Sequence, residues 1–238
     1  LIALFNDEDV KQLKIDDLTS VPSDYYENRE EPVSIQYKEY LKLRDGIISH
    51  DELLILSEYM FHKYWKLCDI VKDKYKFIFI DEYQDTHEEV VKILLEYLPR
   101  TTKKCIIGFF GDAMQAIYDT GIGDIDAYKG DGKGQVKEVK KVQNRRNPRA
   151  VIALANRLRT DGIIQEASGD ITAPNMVEGT LKDGSVLFLY SDNDDISNVE
   201  HFLSENYGWD FSCANKTKEL NLTHNLIADK AGFRTLMD

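Results

Sequence analysis

The sequence predicts an α/β fold in which helices flank a parallel sheet. Short apolar runs occur at Lys76 to Ile80, Cys105 to Phe110 and Val186 to Tyr190, and segments with the apolar spacing of helices lie between them. Continuous apolar strands are typical of parallel sheets, whose crossover helices cover both faces. We therefore expect the sheet to be buried on both sides.

Capping patterns predict where the helices begin. Residues 49–52 (Ser-His-Asp-Glu) have the spacing of a capping box, and apolar residues then recur at helical intervals from Leu53 to Val71. This pattern predicts a helix of about five turns. Thr86 and Glu89 have the same spacing and predict a second helix, which Pro99 ends.

Further elements are expected along the rest of the chain. Asn147 and Pro148 supply an N-cap and a first-turn proline for a helix that continues to about Arg159. The pattern also predicts short helices and loops in residues 6–45, strands at Gln135 to Val142 and near Trp209 to Cys213, a helix near Asp195 to Asn206, and helical turns to the end.

The composition is typical of a globular cytoplasmic protein. Of the 238 residues, 42% are hydrophobic and 30% are charged, and no apolar run approaches the roughly 18 residues of a membrane span. Cys68, Cys105 and Cys213 are scattered among apolar neighbours, which favours free thiols over disulfides or a metal site. The net charge of −12 excludes a surface that is basic throughout, but it is compatible with a local basic groove.

Two adjacent carboxylates, Asp81 and Glu82, follow directly after the first apolar run. Ligands of α/β sheets bind at the carboxyl ends of the strands. One carboxylate there can hold Mg²⁺, which proteins bind with one or two carboxylates plus substrate phosphates. The other can orient or deprotonate a water that attacks phosphorus. The alternative is that the pair only caps the strand and opens a solvated turn.

Three segments of the chain carry recognisable sequence motifs. Residues 81–86 read DEYQDT, residues 105–118 read CIIGFFGDAMQAIY, and residues 142–159 read VQNRRNPRAVIALANRLR. They closely resemble motifs II, III and IV of the UvrD/Rep family of superfamily 1 DNA helicases, and ISHDELL at 48–54 resembles the helix start before motif II. The resemblance implies a partial RecA-like P-loop NTPase fold that spans parts of two RecA-like domains.

The resemblance also implies roles for individual residues. Asp81 would hold the Mg²⁺ of MgATP, and Glu82 would activate the attacking water. Gln115 would sense the γ-phosphate and couple it to DNA. Arg146 would approach that phosphate from the second RecA-like domain and stabilise the charge that develops in phosphoryl transfer. Without the motifs, Gln115 and Arg146 would be interpreted as solvated surface residues.

Two positions depart from the family pattern. Arg145 stands where the family has a tyrosine that stacks on adenine, and because a guanidinium plane can also stack, we expect Arg145 to contact the nucleotide. Tyr118 is a candidate for DNA contact. After it, the family continues with an aromatic residue that packs on single-stranded DNA, whereas this chain reads Asp-Thr-Gly-Ile-Gly at 119–123. Loss of one base stack would weaken DNA binding by about 1–3 kcal/mol.

The P-loop pattern G-x-x-x-x-G-K-[ST] is not found in the 238 residues. Gly130 to Gly134 lacks its Ser/Thr and its strand–loop–helix context, so we expect a flexible loop there. The chain is then expected to be a fragment with negligible ATPase activity alone. Residues 1–45 would end an inserted helical subdomain, residues 46–140 would form the second half of the first RecA-like domain, and residues 141–238 would begin the second.

The resemblance therefore implies part of an ATP-dependent DNA helicase that moves 3′ to 5′, with ATP and Mg²⁺ as cofactors and single-stranded and duplex DNA as partners. Between Lys133 and Arg159, nine residues are Lys or Arg and only Glu138 is acidic, so this segment could meet phosphates or form a solvated helix face. Two alternatives stay open. One is a helicase-like binding or regulatory protein with a decayed ATPase. The other is the motor of a helicase–nuclease or phage-defence system with repair or nuclease partner proteins.

Overall fold

The chain folds into two compact units, and each is described by itself. The first contains residues 1–144 and 155–166, and the second contains residues 145–154 and 167–238. The structure, a computed structural model, describes residues 13–16, 21–22, 25, 33–130, 135–190, 196–213 and 215–220. The expected glycine loop at 131–134, the helical turns at 221–238 and much of the polar segment at 6–45 lie outside these residues.

The fold is mixed α/β, as predicted. Among the described residues, the strands pair as β1 (Gln36–Tyr37) with β2 (Ile47–Ile48), β3 (Phe77–Ile80) with β4 (Ile106–Phe109), β5 (Gln143–Asn144) with β6 (Glu166–Ala167), and β7 (Met176–Val177) with β8 (Thr180–Leu181). The α-helices are α1 (His50–Lys63), α2 (Lys66–Lys74), α3 (Glu88–Lys92), α4 (Arg149–Leu158) and α5 (Ile196–Tyr207). None of these helices is long and apolar enough to span a bilayer.

Strands β3 and β4 are parallel, which confirms the prediction for the first two apolar runs. Phe77 pairs with Ile106 and Ile80 pairs with Phe109, so the ends of both strands lie within one residue of those predicted. One face of this ladder packs on a buried cluster of Cys68, Leu94, Tyr97 and Leu98, and the strand residues that contact the cluster are Ile78, Ile80, Ile107 and Phe109. The two strands therefore turn alternate side chains into one core.

The opposite face of the ladder is exposed in the described residues, so the expectation that both faces are covered is not met there. Phe77, Phe79, Ile106 and Phe110 each expose more than half of their surface. The rings of Phe79 and Phe110 pack edge to face with centroids 5.8 Å apart. Gly108 leaves room for them, because a Cβ atom there would lie 3.0 Å from each ring. Helices α1, α2 and α3 all contribute to the cluster on the first face and leave this one uncovered.

The capping box at the start of α1 is formed as predicted. The backbone N–H of Ser49 donates to Oε2 of Glu52 at 3.0 Å, and the Ser49 side chain accepts from the backbone N–H of Glu52. The single helix predicted from Leu53 to Val71 is wrong, because the backbone leaves the helical region at Tyr64 (φ −112°, ψ 78°) and α2 begins two residues later. Cys68, in the second of these helices, lies in the buried cluster.

The second predicted cap, at Thr86, is wrong, since α3 begins at Glu88 with His87 as its N-cap. Thr86 is extended (φ −78°, ψ 135°), and its C=O accepts the N–H of Ile122 at 2.8 Å, so a loop contact has replaced the cap. The helical run continues through a π-helical turn into a 3-10 turn, Leu98–Arg100, whose first turn contains Pro99. A proline is tolerated there because its missing N–H costs no hydrogen bond.

Three segments predicted as strands are irregular instead. Gln135 to Val142 contains one isolated bridge, from Val136 to Lys129, and Val186 to Tyr190 is exposed without a ladder in the described residues. Trp209 to Cys213 contains a turn at residues 211–212 and no strand. An apolar run becomes a strand only where a neighbour pairs with its backbone groups. Helices α4 and α5, by contrast, lie within two residues of their predicted positions.

Truncating a core residue on the first face should destabilise the first unit. Leu98 is 1% exposed in the cluster beneath β3 and β4. We expect Leu98→Ala to lower the free energy of unfolding by about 2–5 kcal/mol, because the change removes buried contacts and leaves a cavity. Urea denaturation followed by circular dichroism measures this loss. The matched control, Leu158→Ala, alters an exposed residue of α4 and should change stability by less than about 0.5 kcal/mol. Equal effects of the two substitutions would contradict this packing.

Candidate functional site

The candidate site lies at the edge where β3 and β4 end. The N–H of Phe110 donates to the C=O of Ile80 at 2.8 Å, and the N–H of Tyr83 donates to the C=O of Phe110 at 3.1 Å. The pairing therefore continues past both strands, so the two following loops leave the sheet side by side. Asp81 and Glu82 begin one loop, and Asp112 lies in the other.

Glu82 lies two residues after the end of β3 and has a left-handed backbone conformation (φ 48°, ψ 48°). This region costs a residue with a side chain on the order of 1–2 kcal/mol relative to the right-handed region. Hydrogen bonds of the following 3-10 turn hold the conformation, since the N–H of Asp85 donates to the C=O of Glu82 at 3.0 Å. The chain therefore turns at Glu82, and the two adjacent carboxylates are released from the alternation that a continuing strand would impose.

Asp81 and Glu82 are both exposed at this edge. Oδ1 of Asp81 accepts the N–H of Glu82 at 3.0 Å, and Oε2 of Glu82 accepts from Gln84 at 2.9 Å. Within the described part of the chain, no group of three or more His, Cys, Asp or Glu residues could hold a metal ion. This donor set fits Mg²⁺, which keeps several waters and needs one or two carboxylates besides substrate phosphates.

Gln84 is the buried centre of the site, with 1% of its surface exposed. Its Nε2 donates to Oε2 of Glu82 at 2.9 Å and to Oδ2 of Asp85 at 3.4 Å. Its Oε1 accepts the backbone N–H of Asp112 at 3.2 Å. The amide thus connects the loop after β3 with the loop after β4. Because a buried amide is costly when unsatisfied, these bonds specify one arrangement of the two loops.

Glycine is needed where the second loop passes Gln84. A Cβ atom at Gly111 would lie 2.3 Å from Oε1 of Gln84 and 2.9 Å from the Tyr83 ring. Both distances are far below van der Waals contact, so any side chain would push the loops apart. Gly111 therefore permits the hydrogen bond between Gln84 and Asp112.

Asp112 joins the predicted phosphate sensor, Gln115, to an ion pair. Its Oδ2 accepts from Nε2 of Gln115 at 3.0 Å and from Nη1 of Arg159 at 2.7 Å, and its Oδ1 accepts from Nη2 of Arg159 at 2.9 Å. Arg159 also binds Asp161 through Nε at 3.0 Å. The side chains of Arg159 and Asp112 are only 9% and 19% exposed, so this bidentate pair is shielded from solvent.

The ion pair changes the titration of its members. The hydrogen bonds from Arg159 lower the pKa of Asp112 below its ordinary value of 3.8, and they lower the pKa of Asp161 to about 2. The same bonds raise the pKa of Arg159. All three groups therefore stay charged at neutral pH, and the loop that carries Gln115 is anchored by charge.

The loop at 119–123, which departs from the family pattern, packs on the turn after β3. The N–H of Gly123 donates to the C=O of Gln84 at 2.9 Å, and the N–H of Ile122 donates to Thr86. A Cβ atom at Gly121 would lie 2.4 Å from the carbonyl oxygen of Gln84. Gly121 therefore allows a close backbone contact between this loop and the carboxylate turn, which consists of residues 81–85.

Tyr118 lies on the surface just before that loop. It is 61% exposed, and the neighbouring Ile117 is similarly exposed. The N–H of Ile117 donates to Oδ1 of Asp85 at 3.3 Å, which fixes the backbone next to Tyr118. The aromatic ring is therefore available to a ligand on a supported segment.

Arg145 and Arg146 belong to the second unit, so the site described here contains only the other predicted residues. Nη2 of Arg145 pairs with Oδ2 of Asp170 at 2.5 Å, and Nε of Arg149 pairs with Oδ1 of Asp183 at 3.1 Å. Arg146 is exposed. Several cations of the basic segment are thus neutralised by local carboxylates.

Sequence reasoning assigned no role to Gln84, Asp112 and Arg159. Gln84 and Asp112 belong to the DEYQDT and GDAMQ segments, so the sequence places them in motifs but does not indicate what they contact. Arg159 is 47 residues from Asp112, and the only sequence signal for it is membership of the basic segment. No local pattern could have paired these two residues.

Comparison with known proteins identifies the family to which these loops belong. Residues 1–133 match the UvrD/REP helicase N-terminal domain and make up more than half of the chain. The chain belongs to the UvrD/REP helicase family. The family resemblance predicted from the motifs is thereby confirmed, and both loops of the site lie inside the matched residues.

Two relatives of this UvrD/REP family member show how much of a longer protein it corresponds to. It is 36% identical to the Gabija protein GajB of Bacillus cereus (strain HuB5-5) over 195 residues, which cover 80% of the chain. It is 26% identical to the ATP-dependent DNA helicase PcrA of Bacillus subtilis (strain 168) over 105 residues, which cover 43% of the chain. The alignments span 26% of GajB and 13% of PcrA.

The buried ion pair predicts a pH-dependent stability. Because the folded pKa of Asp112 is depressed, its contribution is fully present above the unfolded value near 3.8 and is lost as the pH falls through the lower folded value. We expect Asp112→Asn to lower the free energy of unfolding by roughly 1–3 kcal/mol at neutral pH, with the difference shrinking below about pH 4. Urea titrations at a series of pH values measure it.

A surface ion pair provides the control. Asp73 pairs with Lys103 where both side chains are exposed and solvent screens the charges, so Asp73→Asn should leave the free energy of unfolding nearly unchanged at every pH. A loss in Asp112→Asn that is the same at pH 7 and at acid pH would contradict the charge contribution.

Proposed function

We propose that this chain is part of an ATP-dependent DNA helicase motor, which couples Mg²⁺-dependent ATP hydrolysis to 3′-to-5′ translocation on single-stranded DNA and to duplex unwinding. In this proposal the chain contributes parts of two RecA-like domains, with residues 46–140 in the first and residues 141–238 in the second, and residues 1–45 end an inserted helical subdomain. Membership of the UvrD/REP helicase family and similarity to PcrA, named an ATP-dependent DNA helicase, support it.

One observation carries the proposal. Two exposed carboxylates, Asp81 and Glu82, stand at the end of a parallel strand, and the buried amide of Gln84 ties them to the loop that carries Gln115. A nucleotide-hydrolysing site needs carboxylates for a cation and a water, together with a neighbouring polar group that responds to the phosphate. A strand cap alone would not require a buried link between the two loops.

Each residue then has a role in phosphoryl transfer. Asp81 holds Mg²⁺, which when bound neutralises charge on the phosphate oxygens. Glu82 orients the attacking water and takes its proton, and its bond to Gln84 fixes the carboxylate for that task. Gln115, held by Asp112, responds to the γ-phosphate. Arg146 stabilises the charge that develops on the transferred group.

Arg145 is the point at which nucleotide binding differs from the family pattern. Asp170 binds its guanidinium, so the plane that would stack on the base is held by an ion pair. We propose that Arg145 contacts the nucleotide base in this paired form. A held guanidinium supports stacking better than a mobile one, because less rotamer freedom is lost on binding.

The runner-up is a binding or regulatory protein with a decayed ATPase, and Arg145 and the altered loop at 119–123 favour it. The close packing of that loop on the carboxylate turn weighs against decay, since the loop supports the site. A motor within a helicase–nuclease or phage-defence system is compatible with the same chemistry. A nuclease activity that copurifies with the full-length protein would distinguish that setting.

Removing the Glu82 carboxylate should stop turnover. In the full-length protein with single-stranded DNA, we expect Glu82→Gln to lower kcat for ATP hydrolysis by about 10²–10⁴-fold, because an amide cannot accept the proton of the attacking water. Phosphate release assays with and without DNA measure this.

Glu88→Gln is the matched control for that experiment. Glu88 lies on α3 in an exposed ion pair with Lys92, so its loss should leave kcat unchanged. DNA-stimulated hydrolysis that survives Glu82→Gln would overturn the assignment of Glu82. A well-folded wild type that never hydrolyses ATP would favour the decayed alternative.

Tyr118 should contribute to DNA binding. We expect Tyr118→Ala to weaken binding of a single-stranded oligonucleotide by about 1–3 kcal/mol, since one stack on a base is lost, and Tyr118→Phe to retain most of the affinity. Fluorescence anisotropy with the full-length protein measures the change. Tyr75→Ala removes another exposed tyrosine of the same unit as a control. Equal affinities of all three variants and wild type would exclude Tyr118 from the DNA contact.

A further inference from the structure

The turn that carries Arg146 is held on both sides by one buried residue, Asn175. The backbone N–H of Asn175 donates to the C=O of Arg145 at 3.3 Å, and its side-chain Nδ2 donates to the C=O of Asn147 at 2.9 Å. Asn175 is 1% exposed. The two carbonyls that flank Arg146 therefore accept hydrogen bonds from a single asparagine 28 residues away from Asn147.

The loop that leads to Asn175 is ordered by its own polar contacts. The carboxylate of Asp170 accepts from the N–H of Thr172 at 2.8 Å and from its hydroxyl at 2.7 Å, and the N–H of Asp170 donates to the buried Ser168. These bonds lower the pKa of Asp170, so it stays charged in its pair with Arg145. The loop thus contacts the turn through a side chain and through Asn175.

Asn175 is also connected to the start of helix α4. Its C=O accepts the N–H of Lys182 at 3.0 Å, and the C=O of Lys182 accepts the N–H of Arg149 at 2.9 Å. The next helical N–H, of Ala150, donates to Asp183 at 2.9 Å. The first N–H groups of a helix have no acceptor within it. Here the carbonyls of Lys182 and Asp183, which directly follow β8, accept from them. The segment between the held turn and α4 is fixed at both ends.

This arrangement restrains the backbone from which the Arg146 side chain extends. A guanidinium that stabilises a transition state must be placed to within about 1 Å, and its Cα position is set by the backbone on either side. Holding the neighbouring carbonyls removes rotation of those peptide units. An asparagine that only satisfied buried carbonyls would have no effect specific to Arg146, and this difference can be measured.

We propose that Asn175 is a positioning residue for Arg146, whose amide presets the turn from which the arginine acts on the phosphate of ATP. This proposal rests on the proposed function, because Arg146 has this role only in a hydrolysing motor. Asn175 itself touches no substrate. Its contribution is to the geometry of the arginine in the transition state and not to ground-state binding of the nucleotide.

The test is a double-mutant cycle in the full-length protein with single-stranded DNA. Asn175→Asp keeps the size of the side chain but replaces the donor by an acceptor that repels the C=O of Asn147. We expect kcat to fall by about 10- to 100-fold with little change in the KM for ATP, because only transition-state alignment is lost. In an Arg146→Ala background, Asn175→Asp should have no further effect. Radiolabelled phosphate release is sensitive enough for these slow variants.

Asn206→Asp is the matched control. The Asn206 amide donates to a backbone carbonyl of its own helix, Phe202, at 2.9 Å, so its loss should leave kcat unchanged. If Asn175→Asp does not fold, as judged by its melting curve, Asn175→Ser replaces it in the same cycle. The loss of kcat from Asn175→Ser, compared with and without Arg146→Ala, then tests the proposal.

Two results would overturn the proposal. Equal losses from the Asn175 substitution with and without Arg146 would make the residue purely structural, as would a rise in KM with kcat unchanged. A Glu82→Gln variant in the same assay distinguishes failure of the proposed function from failure of the Asn175 proposal. Loss of turnover in this variant supports the motor even if the Asn175 proposal fails, whereas full turnover would overturn the assignment of Glu82 alone. A well-folded wild type that hydrolyses no ATP would overturn the motor and the positioning role together.

Discussion

The candidate site depends on the parallel pairing of β3 with β4. Four residue pairs in register bring both strands to the same edge, and two further hydrogen bonds carry the pairing into the loops. The contact of Gln84 with the backbone of Asp112 requires that register. A slip by one residue would turn every side chain of the strand to the other face and would separate the loops. A ladder that is buried on one face thus sets the positions of the exposed carboxylates of Asp81 and Glu82.

Buried polar contacts rather than apolar packing fix the fine geometry of both units. In the first unit, Gln84 connects two loops through its hydrogen bond to Asp112, and the ion pair of Asp112 with Arg159 connects one of these loops to the residue that follows α4. In the second unit Asn175 does the same for a turn. Such groups add little net stability when they are satisfied but cost much when they are not, so they select one loop arrangement among several compact ones. The glycines beside Gln84 make this closeness possible.

The sequence was sufficient where the determinants are local. The apolar runs located β3 and β4 to within a residue, the capping box located the start of α1, and the adjacent carboxylates were found because they are neighbours in the chain. Prediction from the sequence failed where a segment that is distant in the chain determines the local structure. Thr86 has the residue type of a helix cap, but its carbonyl accepts the N–H of Ile122, and the break at Tyr64 has no signal in the apolar spacing from Leu53 to Val71. An ion pair separated by 47 residues leaves no local pattern.

The left-handed backbone of Glu82 sets folding against chemistry at a single position. Glycine or asparagine would adopt that conformation at lower backbone cost, but either would remove the carboxylate that accepts from Gln84. Natural proteins retain such unfavourable residues where activity requires them. Directed evolution that screens this chain only for heat resistance gives no weight to the chemistry of the Glu82 carboxylate, so a screen meant to preserve the proposed activity would have to hold that codon constant.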